Sequence, residues 1–217
     1  EDCLFMNVFT PINASATSTT KYPVMAFIHG SGYTVSSSSS LLYGPDFLVN
    51  QSVILVTFNY RLGAAGFLTL GSKVAPGNLG LTDTLLALKW IQRDIAAFGG
   101  DPNQVTLFGE SAGGAATISH YLSPQSTGLF VRAIAQSGSA LSDWAVIPMA
   151  EGVRRSRVLA QAVGCNTNQN DTMLLTCLQT VNITNIVNNQ SISLPAEDMI
   201  SGTTNLRFLP VLDTSLT

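Results

Sequence analysis

Charge is the first thing this sequence is short of: only 11% of its 217 residues are Asp, Glu, Lys or Arg. The surface therefore has to be built largely from Ser, Thr, Asn and Gly. The 10 basic residues are scattered and the net charge is −3, which argues against nucleic acid as a partner. One small cluster, Arg154, Arg155 and Arg157, reads as a solvated helix face. Long apolar runs are missing too: the longest break within about ten residues, short of the roughly 20 that span a bilayer. No internal repeat is present. The chain opens on Glu1-Asp2-Cys3-Leu4 with no initiator Met and no signal peptide, so it reads as a fragment of a longer protein. Its want of a leader therefore says nothing about targeting.

Cysteine and histidine are scarce, and each shortage is informative. With 3 cysteines, one is left without a partner in the chain. Cys165 and Cys177 bracket a short polar segment, and a disulfide there would close a loop of about a dozen residues, worth ~3 kcal/mol. Two buried thiols fit the spacing equally well. Cys3 is the remainder, which again points to sequence upstream. Five N-x-[ST] sequons begin at Asn13, Asn50, Asn170, Asn182 and Asn189. An Asn-rich chain makes such triplets by chance. Together with the cysteine pair they tilt the compartment toward the secretory pathway, as a secreted glycoprotein.

What the chain does have is a run of short, continuous apolar segments alternating with helical spacing. Leu4 to Thr10, Val24 to Ile28, Val53 to Phe58, Val105 to Phe108 and Ala133 to Ser137 read as strands. From Leu81 to Phe98 the positions Leu81, Leu85, Leu88, Ile91, Ile95 and Phe98 recur at helical spacing, with Thr82 or Asp83 as cap and Gly99-Gly100 as stop. Asp101-Pro102-Asn103 reads as a turn into the next strand, and Ala112 to Tyr121 as a short helix. Beyond Ala150 the texture becomes helical with Asn-rich stretches between. Strands alternating with helices predict an α/β class, a doubly wound, mostly parallel sheet flanked by helices, with residues 1–217 belonging to one partial domain.

The chain is organised around Thr106-Leu107-Phe108-Gly109-Glu110-Ser111-Ala112-Gly113-Gly114. A G-x-S-x-G pattern between a strand and a helix is the setting of a nucleophile elbow. The turn is so sharp that Cβ atoms at Gly109 and Gly113 would collide with the neighbouring strand and helix. Ser111 is then exposed at the sheet's edge, with a helix N-terminus behind it that favours an oxyanion. A serine hydroxyl needs a base to take its proton and fixed donors to receive the oxyanion. The Ala112 amide is one donor. The turn after the Val24–Ile28 strand, His29-Gly30-Ser31-Gly32, stands where an HGGG-type loop supplies the others.

These segments resemble the type-B carboxylesterase/cholinesterase branch of the α/β-hydrolases. The match runs through Glu1-Asp2-Cys3-Leu4, His29-Gly30-Ser31-Gly32-Tyr33, Asn59-Tyr60-Arg61-Leu62-Gly63, Gly66-Phe67-Leu68 and Gly77-Asn78-Leu79-Gly80-Leu81-Thr82-Asp83. It continues through Phe98-Gly99-Gly100-Asp101-Pro102, the serine motif, Gln136-Ser137-Gly138-Ser139 and Pro210-Val211-Leu212-Asp213. The resemblance implies an α/β-hydrolase fold and a carboxylesterase-type serine hydrolase. In it Ser111 is acylated, the amides of Ser31, Gly32 and Ala112 form the oxyanion hole, and Glu110 is the acidic neighbour that tunes the site. It also implies a structural ion pair between Arg61 and Asp83, a Cys165–Cys177 disulfide, and a bond from Cys3 to a cysteine upstream. The implied substrate is a small-molecule ester, neutral and fairly apolar by default, and no metal or organic cofactor is called for.

Two departures from the family pattern stand out. Ser31 replaces the middle glycine of the oxyanion loop. Its amide still donates, but a backbone angle that glycine adopts freely is one that serine resists. Reduced activity or a reset loop is the expected consequence. The triad also needs an acid and then a histidine after the serine. His29 belongs to the oxyanion loop, where a structural role is expected. His120 lies more than two turns along the helix from Ser111, so a surface or helix-end role is expected there. The resemblance places the acid and the base beyond position 217, and the fragment alone is expected to be inactive. An alternative is an inactive cholinesterase-like adhesion or receptor ectodomain, against which the intact Ser111 motif argues.

Overall fold

The computed structural model describes residues 2–194 and 206–212. Glu1 and Asp213, which contribute to two of the matched segments, lie outside the described residues. In chain order the elements are β1 (Met6–Phe9), β2 (Tyr22–Ile28), β3 (Ile54–Phe58), α1 (Gly63–Phe67) and α2 (Leu79–Asp94). Then follow β4 (Gly100–Glu110), α3 (Ala112–Leu122), β5 (Arg132–Gln136), α4 (Met149–Ala162), α5 (Asp171–Thr180) and α6 (Ile183–Asn189). Two compact units divide them. The first runs to Gly32, then takes Ser36–Tyr60 and Leu81–Ser142; the second takes Tyr33–Val35, Arg61–Gly80 and the described residues from Asp143 onward.

The first unit is built on one mixed sheet in the order β1-β3-β2-β4-β5. β1 pairs antiparallel with β3, with Val8 opposite Val56. The other pairings are parallel, with Ala26 opposite Val56, Ala26 opposite Leu107, and Phe108 opposite Ile134. β3 is buried along its whole length, so its Ile-Leu-Val-Thr-Phe run has no polar face to alternate with. The edge strand β5 is mostly exposed.

The sequence reading places a turn at Asp101-Pro102-Asn103, and the structure absorbs that turn into β4. The register jumps from Tyr22 opposite Gly100 to Val24 opposite Val105, so residues 101–104 loop out of the ladder. Asp101 holds the loop by accepting from the Asn103 amide at 2.9 Å and from Gln104 Nε2 at 3.0 Å. These bonds, the Asn103 amide first, hold its carboxyl below the usual carboxylate range.

α2 begins at Leu79, earlier than the spacing predicts, so Thr82 and Asp83 lie inside the helix and do not cap it. Leu85, Leu88 and Ile91 form its buried stripe, which Ile95 continues in the 3-10 turn just beyond it. Gly99 stops the chain in a left-handed turn at φ 83°.

In the second unit α4 and α5 enclose a small core of Leu70, Ala75, Ala160, Cys165, Leu174 and Leu178. Cys165 and Cys177 are disulfide-bonded, which settles the alternative that spacing left open. The arginine cluster of α4 is not the solvated face that composition predicts. Arg155 is buried and pairs with Glu151 at 2.6 Å, while its guanidinium also donates to the carbonyls of Leu206 and Arg207. Arg154 binds the same carboxylate, and Arg157 reaches Asp171 at 2.7 Å. The sequence pattern hid this because the carbonyl partners lie some fifty positions away in the chain. Arg154 first, and then Arg155, hold the Glu151 carboxyl down at about 2. Among the described residues no helix is long and apolar enough to cross a membrane.

Candidate active site

Ser111 stands between the end of β4 and the first turn of α3, with φ 55° and ψ −119°. A serine held there stores on the order of 1–3 kcal/mol of backbone strain, which only the surroundings can impose. Those surroundings are backbone packed on backbone. A Cβ on Gly113 would run into the carbonyl oxygen of Ile28, at the end of β2. One on Gly109 would meet the Gly113 carbonyl and lie 2.8 Å from the same Ile28 oxygen. Strand, elbow and helix thus close on each other at van der Waals contact, with glycine the only residue that fits.

A third wall comes from the loop after β5. The Ser111 amide donates to the Gln136 carbonyl at 2.8 Å, and the Ser111 carbonyl accepts from Ala115 at 3.0 Å. A side chain on Gly138 would collide with that Ser111 carbonyl. The sequence reading found Gln136-Ser137-Gly138-Ser139 as a matched segment and gave it no task. A glycine directly after a strand was the available signal, since such glycines mark a close backbone approach.

The loop after β2 reaches the same place. A Cβ on Gly30 would lie 3.1 Å from Ser111 Cβ and 3.1 Å from Glu110 Oε2, so Gly30 passes directly beside the serine. Ser31 and Gly32 follow with φ of 74° and 62°. Ser31 therefore adopts the left-handed backbone that a serine resists, and its side chain is exposed. Among the described residues neither Ser31 nor Ala112 donates its amide to a backbone carbonyl. Glu110 is exposed, with its carboxylate against Gly30.

Both histidines are committed elsewhere. His29 is buried; its Nδ1 donates to the Gly30 carbonyl at 3.1 Å and its ring stacks on Tyr60 at 4.6 Å. Burial pushes its pKa down. His120 lies in the last turn of α3, a helix-end position, but it is buried and not at the surface. Its Nε2 lies 2.6 Å from Thr84 Oγ1, and Thr84 gives its own proton to the Leu81 carbonyl at 2.9 Å. Nε2 therefore carries the ring proton, and Nδ1 accepts from Ser126 Oγ at 2.9 Å. Desolvation pushes its pKa down to about 4, so the ring is neutral with both nitrogens engaged. Among the described residues neither ring hydrogen-bonds Ser111.

Asp83 is buried on α2 and Arg61 is half-buried just before α1. Cys3 is exposed and has no disulfide partner in the chain. Asn13, Asn50, Asn170 and Asn182 are exposed, and Asn189 is half-buried. The Oδ1 atoms of Asn170 and Asn182 cap α5 and α6, whereas the Nδ2 atoms of Asn50 and Asn189 donate to the carbonyls of Asp46 and Asn185. Among the described residues no three His, Cys, Asp or Glu side chains come together as a metal site needs.

The sequence model of the carboxylesterase family matches residues 1–216. The chain is 45% identical over 192 residues to cholinesterase 1 of Branchiostoma lanceolatum, covering 88% of this chain and 53% of that protein. It is 42% identical over 215 residues to the cholinesterase of Mus musculus, covering 98% of this chain and 34% of that protein. The chain thus spans about half, or a third, of the length of these relatives.

Proposed function

Because the chain belongs to the carboxylesterase family, whose fold is that of the α/β-hydrolases, we propose that it carries the nucleophile of a serine carboxylic-ester hydrolase. The observation that carries this reading is Ser111 itself. It sits on a strained elbow at φ 55°, between a helix N-terminus and the Gly30 loop. In the proposed reaction Ser111 Oγ attacks the carbonyl carbon of an ester while a histidine takes its proton. The oxyanion of the tetrahedral intermediate is received by the amides of Ser31, Gly32 and Ala112. The same histidine protonates the departing alcohol, an acyl-enzyme remains on Ser111, and water admitted by the reverse proton route releases the acid.

Neither His29 nor His120 hydrogen-bonds Ser111, and in this proposal the base and its acid come from sequence outside residues 1–217. Glu110 adds a negative charge beside the serine, which favours the imidazolium formed during attack. Arg61 and Asp83 are proposed as a structural ion pair, in keeping with the burial of Asp83. Neutral carboxylic esters are the proposed substrate class, and choline esters belong among the first tried, on the names of the relatives. The disulfide supports a secretory compartment. Asn13, Asn50, Asn170 and Asn182 are the exposed sequons proposed for glycosylation there.

The test is to treat the natural protein with a fluorophosphonate probe and map the adduct. Labelling of Ser111, abolished by Ser111→Ala together with ester hydrolysis, is the expected result. An unlabelled full-length chain overturns the hydrolase reading and leaves an inactive, adhesion-type member of the family.

A further inference from the structure

His29 is an expensive residue for its site. Its Nε2 is buried with no hydrogen-bond partner among the described residues. Its ring stacks on Tyr60 at 4.6 Å, with the planes 26° apart. A phenylalanine would fill that stack without leaving a buried acceptor unsatisfied. What a phenylalanine lacks is the Nδ1–H, and that proton has one destination, the Gly30 carbonyl at 3.1 Å. A carbonyl cannot donate, so this contact fixes the proton on Nδ1 and leaves Nε2 bare.

The Gly30 carbonyl and the Ser31 amide are the two ends of one peptide. In a planar trans peptide the C=O and N–H point in opposite directions, so holding the oxygen fixes where the N–H points. That peptide begins at Gly30, beside Ser111, and ends at Ser31, at φ 74°. A serine in the left-handed region has a lower-energy backbone available, and reaching it would turn this peptide. The histidine is itself clamped. Tyr60 Oη donates to the His29 carbonyl at 2.8 Å, beneath the stacked rings.

We infer that His29 is a positioning residue, locked by Tyr60, whose Nδ1–H holds the Gly30–Ser31 peptide so that the Ser31 amide is aimed at the oxyanion. The inference rests on the hydrolase reading above and adds to it the device by which a serine is tolerated in the oxyanion loop.

The experiment uses the full-length protein with His29→Phe, His29→Asn, Tyr60→Phe and Ser111→Ala. Each is measured for kcat and KM on a neutral ester and for affinity to a trifluoromethyl ketone, which forms a tetrahedral oxyanion adduct on the serine. Loss of one oxyanion donor costs about 100-fold in kcat. His29→Phe is expected to lower kcat by ~30- to 100-fold with KM within about twofold, and to weaken the ketone by the same factor. His29→Asn, whose side-chain amide nitrogen falls near Nδ1, should restore most of the loss. Tyr60→Phe, which keeps the ring and loses the hydroxyl's bond to the His29 carbonyl, should cost less, ~3-fold.

Wild-type kcat and ketone affinity in folded His29→Phe overturn the positioning role. So does a loss that falls on KM, or one that asparagine does not repair. If His29→Phe does not fold, wild-type kcat in Tyr60→Phe and an inactive folded His29→Asn overturn it equally. Activity retained in Ser111→Ala is a different result: the hydrolase reading itself then fails, and the inference goes with it.

Discussion

The elbow and the α4–α5 region solve the same problem, holding a fixed geometry, with opposite materials. Around Ser111 the contacts are backbone on backbone: Gly109, Gly113 and Gly138 each sit where a single added carbon would strike a carbonyl. Around α4 and α5 the contacts are long side chains and a covalent bond, with Arg155 and Arg154 gripping Glu151 and Cys165 tied to Cys177. The first arrangement has no slack, so it can hold a strained serine but tolerates no substitution. The second is adjustable, because each long side chain can give a little and several share the load. Precision of a reacting atom needs the first kind of packing; joining helices needs only the second.

The comparison breaks most visibly at Gly113. A Gly113→Ala change drives Cβ into the Ile28 carbonyl, and neither strand nor helix can move aside without opening the elbow. The expected cost exceeds ~4 kcal/mol, the range reserved for overpacked or strained core positions. The full-length variant should accumulate as insoluble or unfolded protein. A soluble variant with a wild-type urea midpoint would show that the elbow has slack after all. The next effect belongs to the helical region. Replacing both Cys165 and Cys177 by serine opens a loop of 12 residues. It should cost ~3 kcal/mol in urea unfolding. Ester hydrolysis should survive wherever the protein stays folded, and a fall in kcat at full folding would couple the helices to the serine.

What the sequence carried well was whatever lies close together in the chain. Gly109-Glu110-Ser111-Ala112-Gly113 is one tight turn, so strand, nucleophile and helix are legible as a unit. Continuous apolar runs gave the β2, β3 and β4 strands for the same reason, since burial on both faces erases alternation. The misses share the opposite property. Arg155 looked solvated because its carbonyl partners are at Leu206 and Arg207. His120 is at the helix end as one half of its reading has it, and the surface half fails because Thr84 and Ser126, which bury and satisfy it, come from two other segments. Gly138 was seen and given no role, because its contact with Ser111 crosses a helix and a strand. The Asp101-Pro102-Asn103 turn into the next strand is the exception among the misses, because it is local: Asp101 accepts from Asn103 and Gln104, and β4 bulges there and continues.

The smallest effect tests whether the oxyanion loop belongs with the rigid region or the adjustable one. Ser31 holds φ 74°, an angle that costs a non-glycine residue ~1–2 kcal/mol. Glycine removes that cost but adds about 0.5–1 kcal/mol of disorder to the unfolded chain. Ser31→Gly should therefore stabilise the full-length protein by less than ~1 kcal/mol, a rise in Tm of ~2 °C. Since Ser31 already takes the left-handed angle that glycine adopts freely, kcat should change by less than about threefold. That outcome places the loop with the elbow: geometry imposed by its neighbours, strain tolerated. An unchanged Tm with kcat raised about tenfold would place it with the helices instead. The serine would then have relaxed the loop in solution and drawn its amide away from the oxyanion.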